Sequence, residues 1–225
     1  MNLNPTPRFF WLLVLGTLAS LLGFGLLAWR LSQGVANPPH AGSLQWADEE
    51  FLWAGGSGEQ LIPANETVFF AAPHPLNYSA FTLEISAQLS QTTDPVAAWG
   101  IGLANLDGTW MMIGINGAGY VTARQCPMEN IPHLDDCAPL TEPTQHILTY
   151  WKPFRFIHLR GAGNTIRVDF SPTQNRLTLR LNQEWMWDLP YTPTGGAVNW
   201  GVWIENGPNL PSGLPWGKTQ VWSDK

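Results

Sequence analysis

Apolar and polar positions change rhythm sharply along this chain. From Phe9 to Trp29 every residue is uncharged, and Leu, Gly and Trp fall all around the helical circumference with no polar stripe. A run of this length matches the ~20 apolar residues that a helix needs to span a bilayer, and the missing polar face argues against a helix packed on a soluble core. Beyond it the period becomes two. In Ala80–Leu89, Phe81, Leu83, Ile85, Ala87 and Leu89 alternate with Thr82, Glu84, Ser86 and Gln88, which predicts a strand with one buried and one wet face. Thr165–Phe170 and Arg176–Leu181 alternate in the same way, and Ser171-Pro172-Thr173-Gln174-Asn175 between them supplies turn chemistry, so the two are expected to form a hairpin. Further strands are expected over 67–71, 97–104, 109–116, 120–125, 154–160, 184–189, 198–205 and 219–222, divided by turns such as Leu106-Asp107-Gly108 and Asn116-Gly117-Ala118-Gly119. Many short strands and no second helical period predict an all-β fold, an antiparallel two-sheet β-sandwich or jelly roll, preceded by one N-terminal transmembrane helix.

The same pattern divides the chain into a short cytoplasmic tail (1–8), a transmembrane helix or signal anchor (9–31), a Gly-, Asn- and Pro-containing tether (32–45) and an extracytoplasmic β-sandwich domain (46–225). The competing reading of the apolar run is a cleaved signal peptide, whose apolar region is usually only ~7–15 residues long. Gly34-Val35-Ala36 before Asn37 would be its cleavage site, but Arg30 interrupts the approach. Arg8 before the run, and the acidic Asp48-Glu49-Glu50 after it, place the N-terminus in the cytoplasm and the domain outside the cell membrane, in a single-pass topology. Cys126 and Cys137 are the only cysteines and bracket CPMENIPHLDDC, for which a local disulfide is expected. The alternative, a metal held by Cys126, His133, Asp135, Asp136 and Cys137, lacks the paired CxxC spacing of structural zinc. From Ser32 onward the chain holds all seventeen acids and nine of the eleven bases, Arg8 and Arg30 lying earlier, for a formal charge of −8. That balance argues against nucleic acid and against anionic headgroups as partners.

Three stretches, AFTLEISAQL, WGIGLANLDGTWMMIGINGAGY and NTIRVDFSPTQNRLTLRLNQEW, together resemble a concanavalin A-like lectin/glucanase domain of the laminin-G-like kind. In the last of them Asn182 stands at the turn after the hairpin, with Gln183 in place of the usual glycine. The resemblance implies a jelly roll of two stacked sheets that binds glycans or proteins at one sheet face or rim. It does not extend to catalysis. Members that hydrolyse β-glucans carry an ExDxE strand, because retaining chemistry needs two carboxyl groups only ~5–5.5 Å apart; this chain has none, and no catalytic residue is assigned. Calcium-binding relatives use clustered Asp and Asn oxygens, for which Asp94, Asn105, Asp107 and Asn116 are candidates; no cofactor is required by the sequence. None of the five histidines stands in a nucleophile motif, and His74, His133 and His158 are expected to be structural or solvated.

Tryptophan is the remaining signal. Of thirteen, only Trp11 and Trp29 lie in the apolar run. Flat rings stack on the apolar face of a sugar while amides and carboxylates hold its hydroxyls, so the candidate ligand-binding residues are Trp185, Trp187, Trp200, Trp216, Asn182 and Glu205. An extended 184–189 puts Trp185 and Trp187 on one face, and an extended 198–205 puts Trp200 and Trp203 on opposite faces. The competing expectation is that the rings fill the space between the sheets, as is expected for Trp151, Phe154 and Phe156. Trp216 belongs to the Pro- and Gly-dense stretch 206–217, read as an ordered loop or flap rather than a strand. The sequence thus predicts a membrane-anchored recognition module for a glycan or cell-envelope partner. The alternatives are a structural or accessory protein-interaction domain and, more remotely, a glycoside-processing enzyme in which Glu184 and Glu205 converge. Asn65-Glu66-Thr67 and Asn77-Tyr78-Ser79 are glycosylation sequons.

Overall fold

The computed structural model describes residues 7–30, 37–49, 61–77, 79–89, 94–127, 137–140, 151–159, 161–193, 196–209, 212–213 and 217–224. Two compact units, Met1–Pro39 and His40–Lys225, divide them. In the first, α1 (Pro7–Arg30) carries a stretch, Phe10–Trp29, long and apolar enough to cross a membrane. Its Thr17 and Ser20 hydroxyls donate to the carbonyls of Leu13 and Gly16 one turn back, so these polar side chains are satisfied within the helix.

The second unit is built from strands alone. In chain order they are β1 (Ser43–Asp48), β2 (Leu61–Ile62), β3 (Thr67–Ala71), β4 (Leu76–Asn77), β5 (Phe81–Gln88) and β6 (Ala98–Ala104). There follow β7 (Thr109–Asn116), β8 (Tyr120–Pro127), β9 (Ala138–Pro139), β10 (Lys152–Pro153), β11 (Gly163–Ser171) and β12 (Arg176–Leu181). The last are β13 (Glu184–Pro190), β14 (Ala197–Val198), β15 (Trp200–Glu205), β16 (Ser212–Gly213) and β17 (Lys218–Ser223). A six-stranded antiparallel sheet runs β1-β17-β5-β11-β12-β13, and a seven-stranded one runs β10-β8-β7-β6-β15-β3 with β9 added to β8. Two short pairs, β14 with β4 and β16 with β2, complete the set among the described residues; β16 lies within the 206–217 stretch expected from sequence to be a loop rather than a strand. The sheets stack through one apolar core, in which Phe81, Leu83, Ile85, Val168, Leu177 and Leu179 of the first meet Trp99, Ile101, Ile113, Val121, Val202 and Ile204 of the second.

The expected hairpin forms as β11–β12, with Ile166 opposite Leu181 and Phe170 opposite Leu177. Asn175 takes the left-handed φ of +48° that its turn requires. Three expectations need correction. Residues 154–159 form a turn and irregular chain rather than a strand: Ile157 donates to the Phe154 carbonyl within the turn, and Asn side chains satisfy the backbone of Phe156 and His158. Asn164 accepts from the His158 amide and donates to its carbonyl, and Asn182 donates to the carbonyl of Phe156. The 198–205 strand breaks at Asn199, so that Val198 pairs with β4 and Trp200–Glu205 with β6 and β3. In β13, Leu179 lies opposite Trp187 but Arg180 opposite Trp185, which leaves Met186 as the extra residue of a β-bulge. The bulge puts Trp185 and Trp187 on different faces: Trp185 is 55% exposed, and Trp187 packs against the core beside buried Met186. β1, which the sequence pattern does not predict, is a short edge strand without clear alternation.

Candidate functional site

Facing away from the core, the seven-stranded sheet presents transverse rows that follow directly from its register. One reads Phe69, Trp203, Gly100, Gly114, Thr122; the next reads Ala71, Gly201, Gly102, Met112, Arg124. The glycines form a floor on which aromatic rings lie flat. A Cβ on Gly114 would sit 2.1 Å from the Trp203 ring, and Cβ atoms on Gly102 and Gly201 would sit 2.7 and 2.5 Å from Phe69. Trp203, Trp110, Met112 and the Cys126–Cys137 disulfide make a second buried apolar cluster on this face, joined by Phe69 and Trp151. The middle of the sheet is therefore filled by the protein's own rings.

The row at the end of the sheet is different. It runs Thr67, Glu205, Ala98, Asn116, so a carboxylate and an amide flank the small Ala98 side chain. Two interstrand spacings separate them, about 10 Å. The pocket at this end has a volume of about 470 Å³ and is lined by Asn65, Val96, Asn116, Ala118, Tyr120, Trp151, Glu205, Asn206, Gly207 and Pro208. That volume falls within the ~300–1,000 Å³ usual for small-molecule sites. Trp151 is half-buried, and Tyr120 and Val96 are exposed, so rings and apolar side chains reach the opening.

Local chemistry fixes each wall. Asn116 spends its Oδ1 on the amides of Ala118 and Tyr120, at 3.1 and 3.0 Å, which shapes the turn and leaves its NH2 as the donor. Asn206 is buried and donates from Nδ2 to the carbonyls of Ile62 and Pro63, which secures the chain just after β15. Asp94, also buried, accepts from the Val96 amide and from both the backbone and side-chain nitrogens of Asn209. A Cβ on Gly207 would fall 2.3 Å from the Asp94 carboxyl carbon, so only glycine lets the 206–209 loop close over that carboxylate. Glu205 accepts from the Thr67 hydroxyl at 3.4 Å.

Of the six ligand-binding residues expected from sequence, the structure places Glu205 in this pocket. Trp200 is buried in the core, with Nε1 donating to the His74 carbonyl. Asn182, at a φ of +50°, spends its side chain on the Thr165 amide, the Phe156 carbonyl and Asn164. Trp185 and Trp187 belong to the edge strand of the other sheet, and Trp216 lies outside the described residues. Glu184 and Glu205 stand on different sheets and do not converge. The four oxygen-bearing candidates for calcium also separate. Asp94 and Asn116 are at the pocket end of β6 and β7, whereas Asn105 and Asp107 are at the opposite end, in a cavity of about 700 Å³. There Asp107 accepts from the side chain and amide of Thr109 and from Gln125, bonds that hold its carboxyl below the usual carboxylate range.

Asn65, Asn116, Tyr120, Trp151 and Asn206 lie in the pocket but are not among the six. A signal for them exists: Asn116-Gly117 and Asn206-Gly207 each stand at the end of a strand, and strands two apart in an antiparallel sheet end on the same side.

No protein-family model matches the chain, and neither does any curated protein. Among solved structures it is similar to the carbohydrate recognition domain of Emp46p in its metal-free form, with a TM-score of 0.53 and 11% identity over 73% of this chain and 86% of that one. It is likewise similar to the carbohydrate recognition domain of Emp47p, with a TM-score of 0.52 and 13% identity over 81% and 97%. At such identities the likeness is one of fold. The β unit has the two-sheet jelly-roll fold of these domains, and an apolar helix precedes it in the chain.

Proposed function

We propose that this chain is a glycan-recognition module held at a membrane by α1, with the pocket between Asn116 and Glu205 as its sugar site. The observation that carries the proposal is the end row of the seven-stranded sheet. It sets a carboxylate and an amide on either side of a small residue and puts Tyr120 and Trp151 beside them, the combination that sugar hydroxyls and a pyranose face require. Both similar structures are carbohydrate recognition domains, which supports the same reading. Scattered carboxylates favour binding over hydrolysis. The apolar length of α1 supports anchoring, and the Cys126–Cys137 disulfide supports an oxidising, extracytoplasmic location for the β unit.

The test is glycan-array binding by the full chain in lipid nanodiscs, beside Tyr120→Ala and Trp185→Ala, each checked for folding by circular dichroism. Saturable binding that is lost in Tyr120→Ala and kept in Trp185→Ala is expected. No binding at millimolar glycan, or loss in Trp185→Ala alone, overturns the assignment.

A further inference from the structure

One wall of the pocket continues into a basic stretch of chain. Residues 143–168 hold four of the nine bases beyond Ser32 (Lys152, Arg155, Arg160 and Arg167) and none of the seventeen acids. Arg167 belongs to the other sheet and Arg160 lies outside the described residues, which leaves Lys152 and Arg155 beside the pocket. β10, which carries Lys152, sets Pro153 opposite Tyr120, and the Phe154 amide donates to the Gly119 carbonyl at 3.1 Å. The Ile157 amide donates to the Phe154 carbonyl and closes a turn that contains Arg155. The segment therefore starts at Trp151 and runs along the Asn116–Tyr120 turn, and residues of both line the pocket.

These two cations are available to a ligand. Among the described residues neither enters an ion pair, whereas Arg167 and Arg180 meet Asp169, and Lys218 meets Glu49 at 3.0 Å. Arg124 is fully buried, and Arg176 is exposed on the other sheet. Lys152 is half-buried. Arg155 is exposed, and its guanidinium carbon lies 4.6 Å from the centre of the Phe156 ring, a contact that holds the planar fork ready for a carboxylate. His158 commits Nδ1 to the Gly163 carbonyl at 2.7 Å and adds charge only when protonated. Glu205 does not oppose an anion held here. Four interstrand spacings separate β10 from β15, about 19 Å, roughly twice the distance over which salt screens exposed charges. A ligand that reaches from one to the other is an oligosaccharide rather than a single sugar.

We infer that the glycan bound across this end of the sheet is an acidic one, in which a uronate carboxylate lies on Arg155 and Lys152 beside the sugar held between Asn116 and Glu205. This rests on the glycan reading and is tested separately from it. Calorimetric titration of the full chain in phosphatidylcholine nanodiscs, at about pH 7, where uronates are ionised, would compare tetramers of galacturonate, glucuronate and mannuronate with their methyl esters, the same sugars without the charge. At least one acid is expected to bind about tenfold more tightly than its ester, as a charge-assisted bond exceeds a neutral one. Arg155→Gln should bring that ratio toward one and Lys152→Gln should lower it, whereas Arg176→Gln should leave it unchanged. If Arg155→Gln does not fold, Lys152→Gln decides the same question. Equal or tighter binding of every ester, a ratio that survives both substitutions, or one lost in Arg176→Gln overturns the acid inference and leaves the glycan reading standing. Silence of all six tetramers beside a neutral glycan found on the array does the same. Their silence together with a silent array overturns both.

Discussion

Away from the shared core, the six-stranded sheet turns out the rows Gln220, Glu84, Arg167, Arg180, Trp185 and Trp222, Thr82, Asp169, Thr178, Asp188. The seven-stranded sheet turns out Phe69, Trp203 and Trp110 over glycines. In the first, polarity is resolved by pairing. Asp169 accepts from Arg167 at 2.9–3.0 Å and from the Thr82 hydroxyl at 2.6 Å, and lies 3.7 Å from Arg180. Burial, with Arg167 as neighbour, holds the Arg180 guanidinium below its ordinary range, and the charges of Asp169 and Asp188 oppose that. In the second, most side chains are apolar, with Arg124 buried on it and its Nε donating to the Thr122 hydroxyl, and a disulfide ties β8 to the residue before β9. One alternating rule thus gives two surfaces, and at the end row of the apolar one Glu205 and Asn116 stand where rings lie elsewhere.

Substitutions can break this contrast to different degrees. Trp203→Ala empties the centre of the aromatic layer and is expected to cost about 3–5 kcal/mol in denaturant unfolding. Among the described residues Trp203 Nε1 has no hydrogen-bond partner, so Trp203→Phe, which removes the orphaned donor and keeps a ring, should cost clearly less. Cys126→Ser with Cys137→Ser removes the cross-link buried on the same face and is expected to cost roughly 2–3 kcal/mol, read from the thermal midpoint with and without reductant. On the polar sheet, Asp169→Asn leaves the buried Arg167 without its bidentate partner and should cost about 1–3 kcal/mol. Trp185→Ala, at the exposed edge, should change stability by less than about 0.5 kcal/mol. A large loss there would mean that the bulge at Met186 does not separate Trp185 from the packed Trp187.

This contrast also explains which elements are legible in the chain. β5, β11 and β12 alternate clearly because one face meets the core and the other meets paired polar groups, and their boundaries follow from sequence within a residue or two. β6 and β7 are buried on both faces, so AWGIGLA and TWMMIGIN read as unbroken apolar runs and conceal which residues face which way. The glycines are legible as turn-formers rather than as a floor for rings, since their partners Phe69 and Trp203 are distant in sequence. Trp185 and Trp187 mislead for a related reason: a bulge adds one residue, and nothing in EWMWDL marks where. The pocket is hidden because its walls come from five separate segments whose only common property is the end of the sheet on which they finish.

Among the described residues β1 is the first strand after α1 and an edge of its sheet, paired with the last strand, β17, through five residue pairs. Any pull on residues 1–39 therefore reaches the sandwich through this edge. Such tension would load the β1–β17 seam together with the contact in which His40 stacks on Trp222 at 3.7 Å and meets Glu84. Glu205 and Asn116 stand on the other sheet, but β1 reaches it too, since Trp46 packs edge-on against Trp200 at 6.0 Å, so loosening the seam also removes a ring from beside the strand that carries Glu205.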